Sequence, residues 1–132
     1  MNPQFRNIDL EITTAIEPKR MISELGTDII VLFSGPVESG YFLAIETSIE
    51  YPLVEDTINQ FKSLFNQLSP MALSEWSSAT NKTFNFGYDC KSDCSKYELH
   101  IPFSAVAILA DLGASIGITL YNTAEQDAAA NP

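Results

Sequence analysis

Apolar residues recur along the chain with two different periods, and these lay out its elements. Ile8, Leu10, Ile12 and Ile16 interleave with Asp9, Glu11 and Thr13, the alternation of a strand with one buried face. Pro18 to Leu25 reads as a short helix or turn ended by Gly26. Asp28 to Ser34 is an apolar run with several β-branched residues, expected to be a strand covered on both faces. Its alternation would present Ile29, Val31 and Phe33 to one side and Ile30 and Leu32 to the other. Gly35-Pro36 and Ser39-Gly40 bracket a loop. Tyr41 to Ile49 follows as a strand, with Leu43 and Ile45 on one side and Glu46 on the other.

The clearest helix is predicted over Pro52–Leu68. Val54, Ile58, Phe61, Phe65 and Leu68 recur at spacings of three and four, which gathers them into one apolar stripe. Pro52 suits the first turn, where its missing N–H costs nothing. Glu55 and Asp56 then sit at the positive end of the helix dipole, and Ser69-Pro70 closes the helix because a residue before proline avoids the α region. Met71 to Ala79 adds a short helix carrying Trp76. Phe84, Phe86 and Tyr88 form the next alternating run, Asp89 to Ser95 is a turn cluster, and Tyr97, Leu99, Ile101 and Phe103 alternate again. Two such runs about a turn predict a hairpin. Ser104 is an N-cap for a helix reaching Leu112, with Phe103 and Ile108 at hydrophobic-staple spacing and Gly113 as its left-handed stop. Ile116, Ile118 and Leu120 mark the last strand. Residues 123–132 carry no apolar anchor and are expected to fray from a single domain over residues 1–122.

From residue 41 onward the order is strand, helix, strand, strand, helix, strand. This predicts an α+β fold of the ferredoxin-like, split βαβ kind: an antiparallel sheet with two helices on one face, extended at an edge by the N-terminal strands. The open face would show Phe42, Glu46, Asn85, Asp89, Glu98, His100, Thr119 and Tyr121. Among these, Phe42, Glu46, Glu98, His100 and Tyr121 are the candidate binding residues. The helices cannot cover both sides of the Asp28–Ser34 strand, and a wet apolar side is a patch that monomers avoid. Either the first strand and the Pro18–Leu25 segment curl over it, or a second copy covers it in a homodimer; the dimer is favoured because two-fold pairs are the commonest closed assembly.

At 132 residues, with 45% hydrophobic and 18% charged, the chain has the size and composition of one globular domain. Its net charge of −10 is dispersed, as solubility alone requires, and repels phosphate backbones and anionic lipids. Nucleic acid and membrane are therefore not expected partners. No run approaches the ~20 apolar residues of a membrane span, and Met1 to Thr14 lacks the basic start and apolar run of a signal peptide, so a cytoplasmic location is expected.

Candidate chemistry is sparse. His100 is the only histidine. On a strand it would point the same way as Glu98, which could orient it as a general base; a surface histidine on a polar sheet face is the plainer reading. Cys90 and Cys94 lie near Lys91 and Lys96, whose charge could activate a thiol. Their separation is not that of a redox CxxC pair, and inert thiols in a turn are favoured. Two cysteines and one histidine do not close a tetrahedral metal site, and no nucleophile elbow or phosphate loop is present. No cofactor or metal is implied.

One stretch has a family likeness. Tyr97-Glu98-Leu99-His100-Ile101-Pro102, followed by Leu109-Ala110-Asp111-Leu112-Gly113-Ala114 and Ser115 to Tyr121, resembles the end of the bacterial domain of unknown function 4279 family. The helix before Ser69-Pro70 is similar to the family's middle, while the N-terminal part departs from its pattern. The resemblance implies an α+β fold and a small bacterial cytoplasmic protein. It carries over no catalytic residue, and by analogy it suggests an immunity-like protein. Three functions are then to be separated: a non-enzymatic protein-binding module using the open face or an edge strand, a small enzyme using His100 with Glu98 or the thiols, and a structural homo-oligomer subunit.

Overall fold

β1 (Gln4–Thr14) lies in the middle of a five-stranded sheet, not at its edge. The structure is a computed structural model that describes residues 3–91 and 96–123. β1 pairs antiparallel with β3 (Gly40–Thr47) on one side and with β4 (Asn81–Cys90) on the other. β2 (Ile29–Val37) runs antiparallel beside β3 at one edge, and β5 (Ser115–Asn122) runs parallel beside β4 at the other. The order is β2-β3-β1-β4-β5. Among the described residues the helices are α1 (Lys19–Leu25), α2 (Val54–Asn66), α3 (Pro70–Ser77) and α4 (Phe103–Asp111).

The α+β class is that expected, but the sheet is mixed rather than antiparallel, and one predicted strand is missing. Residues 97–102 run from Tyr97 to Pro102 without joining the sheet. Their period-two pattern reflects extended backbone, with Leu99 and Ile101 packed against the core. Both edges of β4 are already taken, by β1 and β5, so no hairpin and no split βαβ order forms. β4, α4 and β5 instead make a parallel crossover unit, the connection that adjacent parallel strands require.

One face of the sheet is buried. Ile8, Leu10 and Ile12 of β1, Leu43 and Ile45 of β3, and Phe84 and Phe86 of β4 form a single core with residues of α1, α2, α3 and α4. α2 supplies Ile58, Phe61 and Phe65 from the stripe read in the sequence. α2 runs only from Val54 to Asn66, with Leu53 and Gln67 as its caps, so Pro52 lies before its first turn and Ser69-Pro70 does not close it. Ser69-Pro70 instead starts α3: Ser69 is the N-cap, its Oγ accepting from the Ala72 N–H at 3.3 Å, and Pro70 opens the helix. Trp76 Nε1 donates to the Leu112 carbonyl at 3.1 Å and so ties α3 to the end of α4. That end is a Schellman motif: Gly113 N–H bonds to Ala110 O and Ala114 N–H to Leu109 O, with Gly113 at φ 71°. α4 starts at Phe103 with Pro102 at its N-cap, so Ser104 lies inside the helix and does not cap it. Phe103 is 88% exposed, so the staple with Ile108 does not form. Thr123 is described, but the rest of the tail expected to fray, residues 124–132, lies outside the described residues.

Candidate functional site

The open face of the sheet divides into two halves. The first is apolar and lies at the β2 edge. A bulge between Val31 and Phe33 interrupts the alternation of β2, so that Ile30 faces Glu46 and Phe33 faces Ala44. Opposed residues of an antiparallel pair share a face. Ile30 and Phe33 therefore both lie on the open face with Phe42 and Ala44, while Val31, opposite Ile45, turns to the helix side. The expected grouping of Phe33 with Ile29 and Val31 is corrected by this one extra residue, which no local pattern announces. The Phe33 and Phe42 rings lie 5.8 Å apart. Ile30, Val31, Leu32 and Phe33 are 45, 44, 47 and 50% exposed. β2 is thus not covered on both faces: it is an edge strand with apolar side chains on both sides of the sheet.

The second half is polar and spreads over β1, β4 and β5. Asp9 of β1 neighbours Glu46 of β3, because Leu10 faces Ile45 in the adjoining register position. Burial pushes the Asp9 carboxyl above its ordinary range, and the Glu11 charge pushes further in the same direction. Burial likewise raises Glu46, with the Asp9 charge next. Asn7 Nδ2 donates to Asp9 Oδ1 at 3.3 Å. Along the β4–β5 side, Tyr121 lies across Gly87, where a Cβ would come within 3.1 Å of its ring. Arg6 stacks over that ring at 4.5 Å and also reaches Asp89 at 3.4 Å. Thr119 Oγ1 donates to Asn85 Oδ1 at 2.9 Å.

Of the five candidate residues, Phe42, Glu46 and Tyr121 are on the open face. Tyr121 is occupied by Arg6 and Gly87 rather than free to anchor a partner. Glu98 and His100 are elsewhere, because their segment is not a strand of the sheet. Both are exposed and line a cleft of about 690 Å³ with Phe5, Leu53, Glu55 and Tyr88. Glu98 pairs with Lys96 at 2.8 Å, and no hydrogen bond joins it to His100 among the described residues. The oriented acid–base couple considered from the sequence is not assembled. Cys90 closes β4 opposite Asn122 rather than lying in a turn, and its Sγ donates to the Tyr121 carbonyl at 3.5 Å; Cys94 lies outside the described residues. Ile30, Phe33 and Asp9 are the site residues the sequence reading did not select. The apolar run signalled the first two, but as covered core.

The carboxyl pair gives a pH prediction. A carboxyl whose pKa is raised on folding binds its proton more tightly in the folded state, so stability falls as pH rises through the raised value. Glu46→Gln is therefore expected to raise stability at pH 7 by a few tenths to about 1 kcal/mol, a range set by the partial solvent screening of the pair. The gain should shrink as pH falls into the ordinary carboxylate range. Thermal midpoints of both proteins across that range test it, and a Gln variant less stable at neutral pH contradicts it.

In the cleft, Tyr88 is 4% exposed and its hydroxyl has no hydrogen-bond partner among the described residues. Burial, then the Glu55 charge, pushes its pKa up. A buried hydroxyl without a partner contributes desolvation cost and nothing in return. Tyr88→Phe is accordingly expected to stabilise the fold by roughly 1 kcal/mol, read as a higher urea midpoint at unchanged slope. A loss of that size would mean that the hydroxyl is bonded.

No family model matches the chain, and neither a curated protein nor a solved structure is found that resembles it. No helix among the described residues is long and apolar enough to cross a membrane.

Proposed function

We propose that the chain is a non-enzymatic protein-binding module that engages its partner through the β2 edge and the adjoining apolar half of the open face. The observation that carries this reading is the run Ile30–Phe33, four consecutive large apolar residues each about half exposed on an edge strand. Exposed apolar edge strands template pairing with another chain, and proteins usually blunt them with charge. From Ile29 to Val37 there is no charged residue. An added strand would gain main-chain hydrogen bonds from the edge and side-chain contacts from Ile30, Phe33 and Phe42, the mode known as β-augmentation. Beyond the apolar rim, Asp9, Glu11 and Glu46 offer acceptors to basic or amide side chains of the same partner.

The likeness to the domain of unknown function 4279 family is compatible with this reading and adds an immunity-like role: a small bacterial cytoplasmic protein that binds another protein and blocks it. The enzymatic alternative is less well supported, since Glu98 is engaged by Lys96 and His100 is exposed, with no carboxylate partner among the described residues. The test is retention of proteins from a native lysate by the immobilised chain and its variants. Protein retained by the wild type and by His100→Ala but lost with Leu32→Lys supports the β2 surface. Retention unaffected by Leu32→Lys, or abolished by His100→Ala, moves the site to the cleft.

A further inference from the structure

We infer that the strand added to β2 is β2 of a second copy, so that two chains join across a two-fold axis into one continuous ten-stranded sheet. The inference rests on the reading of β2 as the binding edge and names the partner. Three features single out a second copy.

The first is charge. The chain carries −10 overall, so two copies repel wherever their carboxylates meet, yet Ile29–Val37 is neutral throughout. The second is register. An antiparallel pair that sets Ile30 against Phe33 of the partner subunit keeps both side chains on the open face, where the bulge has put them. It also sets Asp28 against Gly35 of the partner subunit and leaves Glu38 beyond the paired segment, so neither flanking carboxylate meets another. The third is the contrast with the opposite edge. β5 is also uncharged, but its apolar residues Ile116, Ile118 and Leu120 point only to the helix side. Its other side is Thr119 bonded to Asn85 and Tyr121 stacked on Arg6. Of the two edges, β2 is the one with apolar side chains on both faces, so a strand laid beside it would meet apolar cross-strand neighbours on either side of the ladder.

Pro36 has no N–H to donate to a ladder, which confines the pairing to the segment before it. So short an interface falls at the small end of protein–protein contacts, where transient association is found, and the dimer is expected to dissociate on dilution.

Sedimentation of the purified chain over the micromolar range tests this. The wild type should move from one to two times 14.6 kDa as concentration rises. Ile30→Lys and Val31→Lys should stay at the monomer mass with unchanged circular dichroism, since both positions are already half exposed. Ile118→Lys, on the other edge, should dimerise like the wild type. A wild type that remains monomeric, or a dimer that survives both β2 substitutions or is lost with Ile118→Lys, overturns the self-pairing. If the wild type is monomeric while lysate retention still depends on Leu32, the second copy is wrong and β2 remains the binding edge for a different protein.

Discussion

Phe61→Ala is expected to lower stability by about 3–5 kcal/mol, the cost of emptying a large aromatic site in a closed core. Phe61 is fully buried in the middle of α2. Its ring meets Phe84 of β4 edge-on, with centroids 5.1 Å apart, an arrangement worth something beyond the area it removes from water. Phe84 lies beside the central strand, facing Leu10. The substitution therefore loosens the contact between α2 and the middle of the sheet. Neighbouring Ile58 and Phe65 are themselves fully packed, which limits collapse into the space. Urea unfolding gives the value, and a midpoint unchanged from the wild type would place Phe61 outside the core.

The second large effect is expected at Gly40, for a different physical reason. Gly40 opens β3 just after the Glu38–Ser39 turn and pairs with Val37. Its φ of 142° lies in a region that side chains rarely adopt. A Cβ there would sit 2.2 Å from the Thr14 carbonyl oxygen. That atom belongs to the backbone of the central strand, so no rotamer change relieves the clash. Gly40→Ala is expected to cost roughly 3 kcal/mol or more, above the 1–3 kcal/mol of backbone strain alone. The turn should also lose its register with β1. An alanine variant as stable as the wild type would contradict the observed backbone conformation.

The helices were legible because their signals are local. The three-and-four spacing of α2 and Gly113 at the end of α4 each depend on neighbours a few residues away, whereas Ser69-Pro70, read as the close of α2, proves to be the cap and first residue of α3. The sheet was less so. Asp9 and Glu11 between apolar residues mark β1 as half buried, but nothing in the alternation says that it lies between β3 and β4. Tyr97 to Phe103 alternates as well as any strand, yet β4 has no free edge to offer it, and that is a property of the whole topology. The same limit explains the site. Phe42, Glu46 and Tyr121 were placed on the open face because period two is reliable within a strand. Glu98 and His100 were misplaced because their segment is not part of the sheet. Ile30 and Phe33 were read as covered because an apolar run looks alike in a buried strand and in an edge strand with a partner, and the bulge that aligns them is invisible in sequence.

The most direct measurement is amide hydrogen exchange along the two edge strands of the purified chain, at high concentration and after dilution. If another copy covers β2, amides from Ile29 to Ser34 should exchange slowly in the concentrated sample and faster on dilution, while those of Ser115–Asn122 should not change. Equal exchange at both edges, independent of concentration, would show that β2 stands uncovered and would contradict its assignment as the self-pairing edge.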